Sequence, residues 1–223
     1  MYDRLKRFFD FLFASIVIII LLPLFIPISI VLRLTGEGEI FYLQERVGFG
    51  NKDFKIYKFA TMLKDSEKLG SGIYTAKDDE RILPFGRFLR GSKINELPQL
   101  INIIKGDISF VGPRPLIRKT FELYNEKDQI RISSVKPGLT GIGSIIFRNE
   151  EEILQSSDQN LEKYYSEYIT PFKAKLENWY LINKSFYTDI KLIFLTAWVI
   201  IFKNSKLPHK FFSDLPRNEL LTK

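Results

Sequence analysis

The chain has 223 residues, 45% of them hydrophobic, with a formal net charge of +7, a single histidine (His209) and no cysteine. That length holds one sizeable domain or a domain plus a membrane element, and the hydrophobic share excludes a wholly disordered chain. Disulfide scaffolds, thiol chemistry and His-rich metal centres are excluded too, while the basic balance fits anionic lipid or phosphorylated ligands; with no Arg/Lys tract interleaved with aromatics, no nucleic acid partner is expected.

The first element is apolar. Residues 11–32 carry no charge, Arg4, Lys6 and Arg7 precede them, and Arg33 follows. The run reaches the threshold of roughly 20 residues for crossing a hydrocarbon core. It is too long for a signal peptide, and no small-residue cleavage site follows. Pro23 and Pro27 lie one turn apart, so a break or bend is expected there. Basic residues at both ends suit both ends on one side of the membrane. The segment 1–35 therefore reads as an anchor that either spans or re-enters. The carbonyls freed near Ile19 and Pro23 would need partners such as Ser15. Residues 36–223 read as one further domain.

Beyond the anchor, β-rich stretches at 40–44 and 54–59 flank the turn-rich 48–53, which predicts a β-hairpin. Residues 64–72 are polar and read as a loop. Residues 78–90 mix helix signals with Pro84 and Gly86. In "SKINELPQLINIIKGDISFVGPRPL" (92–116), Leu97, Leu100, Ile101 and Ile104 fall on one helical face. Asn95 is a favoured N-cap, Pro98 suits the first turn, and Gly106 suits the C′ position. A helix of about three turns is expected.

The Gly-rich stretch "KPGLTGIGSIIFRNEEE" reads as a loop leading into a β-rich run. Residues 161–183 read as a helix interrupted by Pro171. The last helix, "YTDIKLIFLTAWVIIFK", has an apolar core too short to span, bracketed by Lys191 and Lys203. It fits an interfacial amphipathic helix or a buried core helix equally well. The fold class is thus α+β and helix-rich: a monotopic membrane protein with an N-terminal re-entrant or spanning helix, a small β-hairpin and interfacial helices.

Several residues could carry chemistry. Glu96 at a helix start suits the dipole, which is by itself a sufficient structural reason for an acid there. Arg114 is held between Pro113 and Pro115, which restricts the backbone on both sides and aims a guanidinium fork suited to phosphate. Asp107 reads as a turn residue or a metal carboxylate. Arg46, Lys58 and Arg148 could complete a basic pocket, although each alone is ordinary surface charge. Acid, arginine and lysine beside an anchor suggest a diphosphate substrate that meets a lipid, with Mg²⁺ neutralising charge.

Five stretches carry a resemblance to a known family: "KRFFDFLFA", "ERVGFGNKDFKIYKFATM", "ELPQLINIIKGDISFVGPRPL", "KPGLTG" and "SFYTDIKLIFLTAW". Together they resemble the bacterial sugar transferases, the small monotopic phosphoglycosyl transferases. The resemblance implies transfer of a sugar phosphate from a nucleotide sugar, usually a UDP-sugar, to polyprenyl phosphate, giving UMP and a polyprenyl-diphosphate sugar. It implies a re-entrant anchor in membrane lipid, a catalytic domain on the cytoplasmic face of the bacterial inner membrane, and Mg²⁺ as cofactor. A homo-oligomer is left open.

In that family an Asp-Glu pair acts with the metal, and the Asp attacks the sugar-bearing phosphorus. Glu96 matches the Glu, and Arg114 the phosphate arginine. Asn95 stands in the nucleophile's place, and Ala60 stands where Arg or Lys is usual. The expected site is Glu96 and Asn95 for catalysis, Arg114, Arg46, Lys58 and Arg148 for substrate, and Glu96 and Asp107 for metal. Asn95 leaves three readings. Glu96 attacks or the displacement is direct; the chain is an inactive membrane partner that binds nucleotide sugar or another protein; or it is a basic peripheral protein. Retention of Glu96, Asp107 and Arg114 together favours the first.

Overall fold

A computed structural model of the protein describes residues 2–66, 79–148, 150, 161–202, 205 and 207–217. The expectations for 67–72, for the "EEE" end of the Gly-rich stretch beyond Glu150 and for Lys203 lie outside the described residues.

Helix α1 runs from Tyr2 to Leu34 without interruption, with Pro23 and Pro27 inside it. The helix is not broken there, since two lost hydrogen bonds do not end so long a ladder; of the expected break or bend, only a bend within a continuous helix is left. Ser15 does not serve the carbonyls near the prolines, because its hydroxyl donates to the Phe11 carbonyl at 2.8 Å. At 1.5 Å per residue the helix is about 50 Å long. Only 11% of its most apolar 18-residue stretch is buried. Phe11, Phe13, Ile16, Ile19, Ile20 and Ile26 are exposed. A core helix of a water-soluble domain would hide those side chains; by length and hydropathy this helix is long and apolar enough to cross a membrane.

Strands β1 (Phe41–Val47) and β2 (Asp53–Phe59) form the expected two-stranded hairpin. A 3-10 turn, Phe49–Asn51, joins them, with Gly50 and Asn51 at φ 67° and 61°. Gly and Asn tolerate that left-handed region, which is why the "GFGN" run turns here.

By internal contacts the chain groups into two compact units: Phe8–Glu45 with Lys55–Gly106, and Met1–Arg7 with Arg46–Phe54 and Asp107–Lys223. In the first, Ile28 and Leu32 of α1 pack with Phe59 and Leu89, and Phe25 meets Phe59 edge-on at 5.3 Å between centroids. Leu89 lies on α2 (Pro84–Gly91), which starts on its proline, where a missing N–H costs nothing. Upstream of α2, Asp79 and Arg81 form a buried two-pronged ion pair, with 2.8 and 2.5 Å contacts. Helix α3 spans Gln99–Lys105 and ends on Gly106 in the left-handed conformation, φ 87°.

The second unit centres on a feature that periodicity did not indicate. Strands β3 (Ser109–Val111) and β4 (Gly138–Thr140) pair in parallel, Ser109 opposite Gly138 and Val111 opposite Thr140. Helices α4 (Arg118–Phe121) and α5 (Glu126–Ser133) make the crossover. Asn125 caps α5 by accepting the Asp128 N–H at 2.9 Å. Val47, Leu116, Phe121, Tyr124, Ile132 and Ala174 form its buried apolar cluster.

The stretch after β4 is helical, not β: α6 covers Ile142–Ile146. Ile142 and Ile145, three residues apart, are buried together, which is a helical and not a strand spacing. Helix α7 (Leu161–Tyr164) passes through a π-turn, Tyr165–Ile169, into α8 (Thr170–Asn183). The expected interruption by Pro171 takes this form: the wider turn precedes the proline, which then sits in the first turn of α8.

Helix α9 (Phe186–Ile201) is capped by Ser185, whose hydroxyl accepts the Thr188 N–H at 3.1 Å. Leu192, Leu195 and Val199 are buried, while Ile190, Ile193, Phe194, Ile200 and Ile201 are exposed. One face packs and the other presents bare apolar side chains, so α9 is not a wholly buried core helix. Its buried Asp189 accepts from the Tyr2 hydroxyl at 2.7 Å and the Tyr180 hydroxyl at 2.9 Å, and pairs with Lys6. Helix α10 (Leu207–Phe211) follows.

Candidate active site

Asn95 and Glu96 do not begin a helix. They lie in a 3-10 turn, Ile94–Glu96, and α3 starts only at Gln99 with Pro98 at its cap. The expected three-turn helix is therefore a 3-10 turn followed by two helical turns, and Asn95 is not an N-cap. Lys93 causes the difference. It adopts φ 61°, a left-handed conformation costing a non-glycine residue roughly 1–2 kcal/mol, and folds the chain sharply just before the pair. Asn95 turns inward, 7% exposed, and its side-chain oxygen has no hydrogen-bond partner among the described residues. Glu96 is partly exposed.

The buried face of α3 is also not the apolar stripe. Gln99, Leu100, Asn102 and Ile103 are buried, while Leu97, Ile101 and Ile104 are only partly so. Asn102 explains the rotation: its Oδ1 accepts the Tyr57 N–H at 2.9 Å, and its Nδ2 donates to the Lys55 carbonyl at 2.8 Å. A buried amide that satisfies two strand groups is worth more to the fold than one more leucine. Lys58, on the same strand, donates to Gln44 across the hairpin at 3.2 Å. Ala60, 8% exposed, continues the ladder through its N–H to the Ile40 carbonyl.

In the other unit, the Pro-Arg-Pro turn leaves the end of β3 and is clamped on several sides. The Gly112 N–H donates to the Thr140 carbonyl at 3.0 Å, and the Gly138 N–H to the Pro113 carbonyl at 2.8 Å. The backbones touch so closely that a Cβ on Gly112 would lie 2.5 Å from the Lys136 carbonyl oxygen. A Cβ on Gly141 would lie 2.2 Å from the Gly112 oxygen. This is why "KPGLTG" accompanies "VGPRP": each supplies the glycines the other needs.

On the far side, Arg46 donates to the Pro115 carbonyl at 3.1 Å, and the Val47 N–H to the Leu116 carbonyl at 2.9 Å. Pro113 and Pro115 are buried and Arg114 partly so. Arg46 thus does come beside Arg114, as a brace for its turn. Arg148 donates one nitrogen to the Ile200 carbonyl at 3.4 Å, and its buried Nη1 has no partner among the described residues. Asp107 follows Gly106 in the turn into β3, partly exposed.

Residues 1–203 match the family described as bacterial sugar transferase. The chain belongs to that family. A Bacillus subtilis relative, the uncharacterized sugar transferase EpsL, is 39% identical over 194 residues, 86% of this chain and 85% of the relative. The UDP-N-acetylgalactosamine-undecaprenyl-phosphate N-acetylgalactosaminephosphotransferase of Aeromonas hydrophila is 31% identical over 202 residues, 90% of this chain and 44% of the relative. The undecaprenyl-phosphate galactose phosphotransferase of Salmonella typhimurium is 31% identical over 211 residues, 88% of this chain and 40% of the relative. The chain therefore spans less than half of the last two, larger proteins.

Around the arginine turn of this sugar transferase lie charged residues that motif reading passed over. Glu177 on α8 is buried, 4% exposed, and its Oε1 accepts the Arg114 backbone N–H at 3.4 Å. Burial lifts its carboxyl to about 7, against the Arg114 N–H and the charges of Lys173 and Arg114, which pull it down. Gly143 makes room for it, since a Cβ there would stand 2.3 Å from Oε1. Lys173, one turn earlier, pairs with Glu150 at 2.6 Å and with the Tyr165 hydroxyl at 2.9 Å. Burial pushes its ammonium below the usual lysine range, opposed by Glu150. The only sequence signal was spacing: Lys173 and Glu177 share one helical face, a pattern that ordinarily marks a solvated surface.

Among the described residues no group of three or more acidic or histidine side chains could cage a metal. Mg²⁺ does not need one, because it is commonly held by one or two carboxylates together with substrate phosphates. Glu96, a partly exposed carboxylate, fits that role.

Proposed function

We propose that the chain transfers a sugar phosphate from a UDP-sugar to polyprenyl phosphate, releasing UMP and leaving a polyprenyl-diphosphate sugar, the first step of a surface glycan. The observation that carries this reading is the family match over residues 1–203. The activities for which the Aeromonas and Salmonella relatives are named support a sugar-phosphate transfer onto undecaprenyl phosphate.

Each residue has a part. Arg114, its backbone restricted by two prolines and braced by Arg46, binds donor phosphate through its guanidinium fork. Arg148, with a buried donor that lacks a partner among the described residues, is a further phosphate or carbonyl ligand. Lys58 adds positive charge. Glu96 is one candidate carboxylate for Mg²⁺ and Asp107, in the other unit, is the alternative; the ion would neutralise diphosphate charge when bound.

Asn95 cannot attack as a carboxylate would, since an amide oxygen carries no full charge. Two routes remain. Glu96 attacks the sugar-bearing phosphorus, UMP leaves, and a polyprenyl phosphate oxygen then displaces the carboxylate from that phosphorus. Alternatively, the polyprenyl phosphate oxygen displaces UMP directly. Intact-mass detection of a sugar-phosphate adduct on Glu96 before acceptor is added separates them.

The bare apolar faces of α1 and α9 support residence in membrane lipid. We place the catalytic part on the cytoplasmic face of the inner membrane, with α1 re-entering at Pro23–Pro27 so that Arg4, Lys6, Arg7 and Arg33 stay on one side. The chain has no cysteine. Single cysteines at Asp3 and Thr35 should therefore both react with a membrane-impermeant maleimide from the cytoplasmic side; reaction from opposite sides would mean a spanning helix.

The activity is tested with the purified chain in detergent, Mg²⁺, undecaprenyl phosphate and a panel of nucleotide sugars. UMP release with at least one UDP-sugar is expected. Background release with every donor would overturn the reading in favour of an inactive partner.

A further inference from the structure

Glu177 is an odd acid for a core. It is 4% exposed, and burying a carboxylate is costly unless it is paired. The nearest lysine on its helix does not bind it, because Lys173 is taken by Glu150 and Tyr165. Its Oε2 has no partner among the described residues. Its one hydrogen bond there goes through Oε1 to the backbone N–H of Arg114. A leucine would pack such a place better if packing were its purpose.

The space around it is fitted as well. Gly143 on α6 leaves room for the carboxyl and for little else, with a hypothetical Cβ 2.3 Å from Oε1. Three elements therefore meet at one point: α8 provides the acid, α6 the gap and the end of β3 the arginine turn. The charges that face it are Arg114 and Lys173, with the Tyr124 phenol beside them and Glu150 and Tyr165 beyond Lys173.

We propose that Glu177 is the positioning residue of the Pro-Arg-Pro turn: its buried carboxyl holds the Arg114 backbone and so sets where the Arg114 guanidinium meets the donor diphosphate. This rests on the transferase reading above, in which Arg114 binds phosphate. Glu177 itself touches no substrate. Its geometry acts on donor binding and leaves the lipid acceptor alone.

The test uses the full chain in detergent, with donor KM, acceptor KM and kcat from UMP release, and UDP binding by calorimetry. Glu177→Gln keeps an oxygen acceptor of the same reach and should hold donor KM within about threefold of wild type. Gly143→Ala pushes the carboxyl off the arginine turn and should raise donor KM and the UDP Kd about tenfold, with acceptor KM unchanged. Adding Glu177→Asp to Gly143→Ala relieves the clash but draws the carboxyl back by one methylene, out of reach of the Arg114 N–H, and should leave donor KM raised; recovery to the wild-type value would overturn the proposal. Glu177→Leu, which removes the acceptor without adding bulk, gives the same reading should Gly143→Ala fail to fold.

A fall in kcat alone, with donor KM and UDP affinity unchanged, would mean a merely structural acid and overturn the proposal. So would a Leu variant that binds UDP as wild type does. A wild-type chain that neither releases UMP nor binds UDP would overturn the transferase reading and this role together. An active wild type with indifferent variants would overturn this role only.

Discussion

The Tyr2 hydroxyl donates a 2.7 Å hydrogen bond to the Asp189 carboxylate, tying the first turn of the chain to the first turn of α9. Lys6 and Tyr180 share the same acid, and Asp189 is buried. Removing one partner of such a group strands the others: Asp189→Ala should cost roughly 3–5 kcal/mol, seen as a large drop in Tm in detergent. Replacing both charges, Lys6→Met with Asp189→Leu, should cost clearly less. Equal losses in the two variants would show that the cluster matters only as packing.

Gly112 and Gly91 make a matched pair of tests. A Cβ on Gly112 would run into backbone at 2.5 Å, and backbone cannot swing aside. Gly112→Ala should lower Tm and abolish UMP release. Gly91, the last residue of α2, has nothing within 4 Å of its Cβ position. Gly91→Ala should be neutral or stabilising by up to about 1 kcal/mol. Activity that survives Gly112→Ala would argue against a tightly clamped arginine turn.

Stability should depend on pH through Glu177. Its carboxyl is raised from 4.5 to about 7, so the folded chain holds this proton more tightly than the unfolded chain. The stabilisation is complete below pH of about 4.5 and is lost as pH rises through about 7, on the order of 3 kcal/mol in all. Arg114 and Lys173 limit the shift, because both favour the ionised form. Glu177→Gln cannot ionise, so between pH 5 and 8 its Tm should fall less than that of wild type. Parallel Tm curves would rule out a carboxyl titrating in this range.

At the proposed catalytic turn, Glu96→Gln should remove turnover, since no second carboxylate stands in the turn Ile94–Glu96. Asn95→Asp puts a negative charge at a position 7% exposed. It should either speed UMP release or let a phospho-sugar adduct accumulate on residue 95. Unchanged turnover in Glu96→Gln, measured by UMP release, would show that the chemistry lies elsewhere.

The hairpin, the Gly106 cap and the apolar first helix were legible in the sequence because each rests on local rules: alternation, left-handed glycine and unbroken hydropathy. Asn102 was not, because its value lies in two backbone groups far away in sequence, Lys55 and Tyr57. For the same reason only Leu100 of the apolar stripe Leu97–Leu100–Ile101–Ile104 lies on the fully buried face. The β3–β4 pair eluded periodicity, since three-residue strands have too few positions to alternate. Of the proposed site, Arg114 and Glu96 were singled out by their motifs. The inward turn of Asn95 came from the φ of Lys93, which no residue preference foretells.

The parallel pairing of β3 with β4 also fixes where this protein can change in length. Its two ends are sealed by Gly112 to Thr140 and Pro113 to Gly138 contacts, so the intervening crossover of α4 and α5 is a closed excursion. Residues grafted at its exposed tip, between Glu122 and Leu123, lengthen an already closed loop at small entropic cost and leave the arginine, the buried Tyr124 and the Asn125 cap undisturbed. One residue gained or lost between Gly112 and Leu116 would shift the register of the seal itself. Homologous chains should thus vary freely in the excursion and hardly at all at its neck.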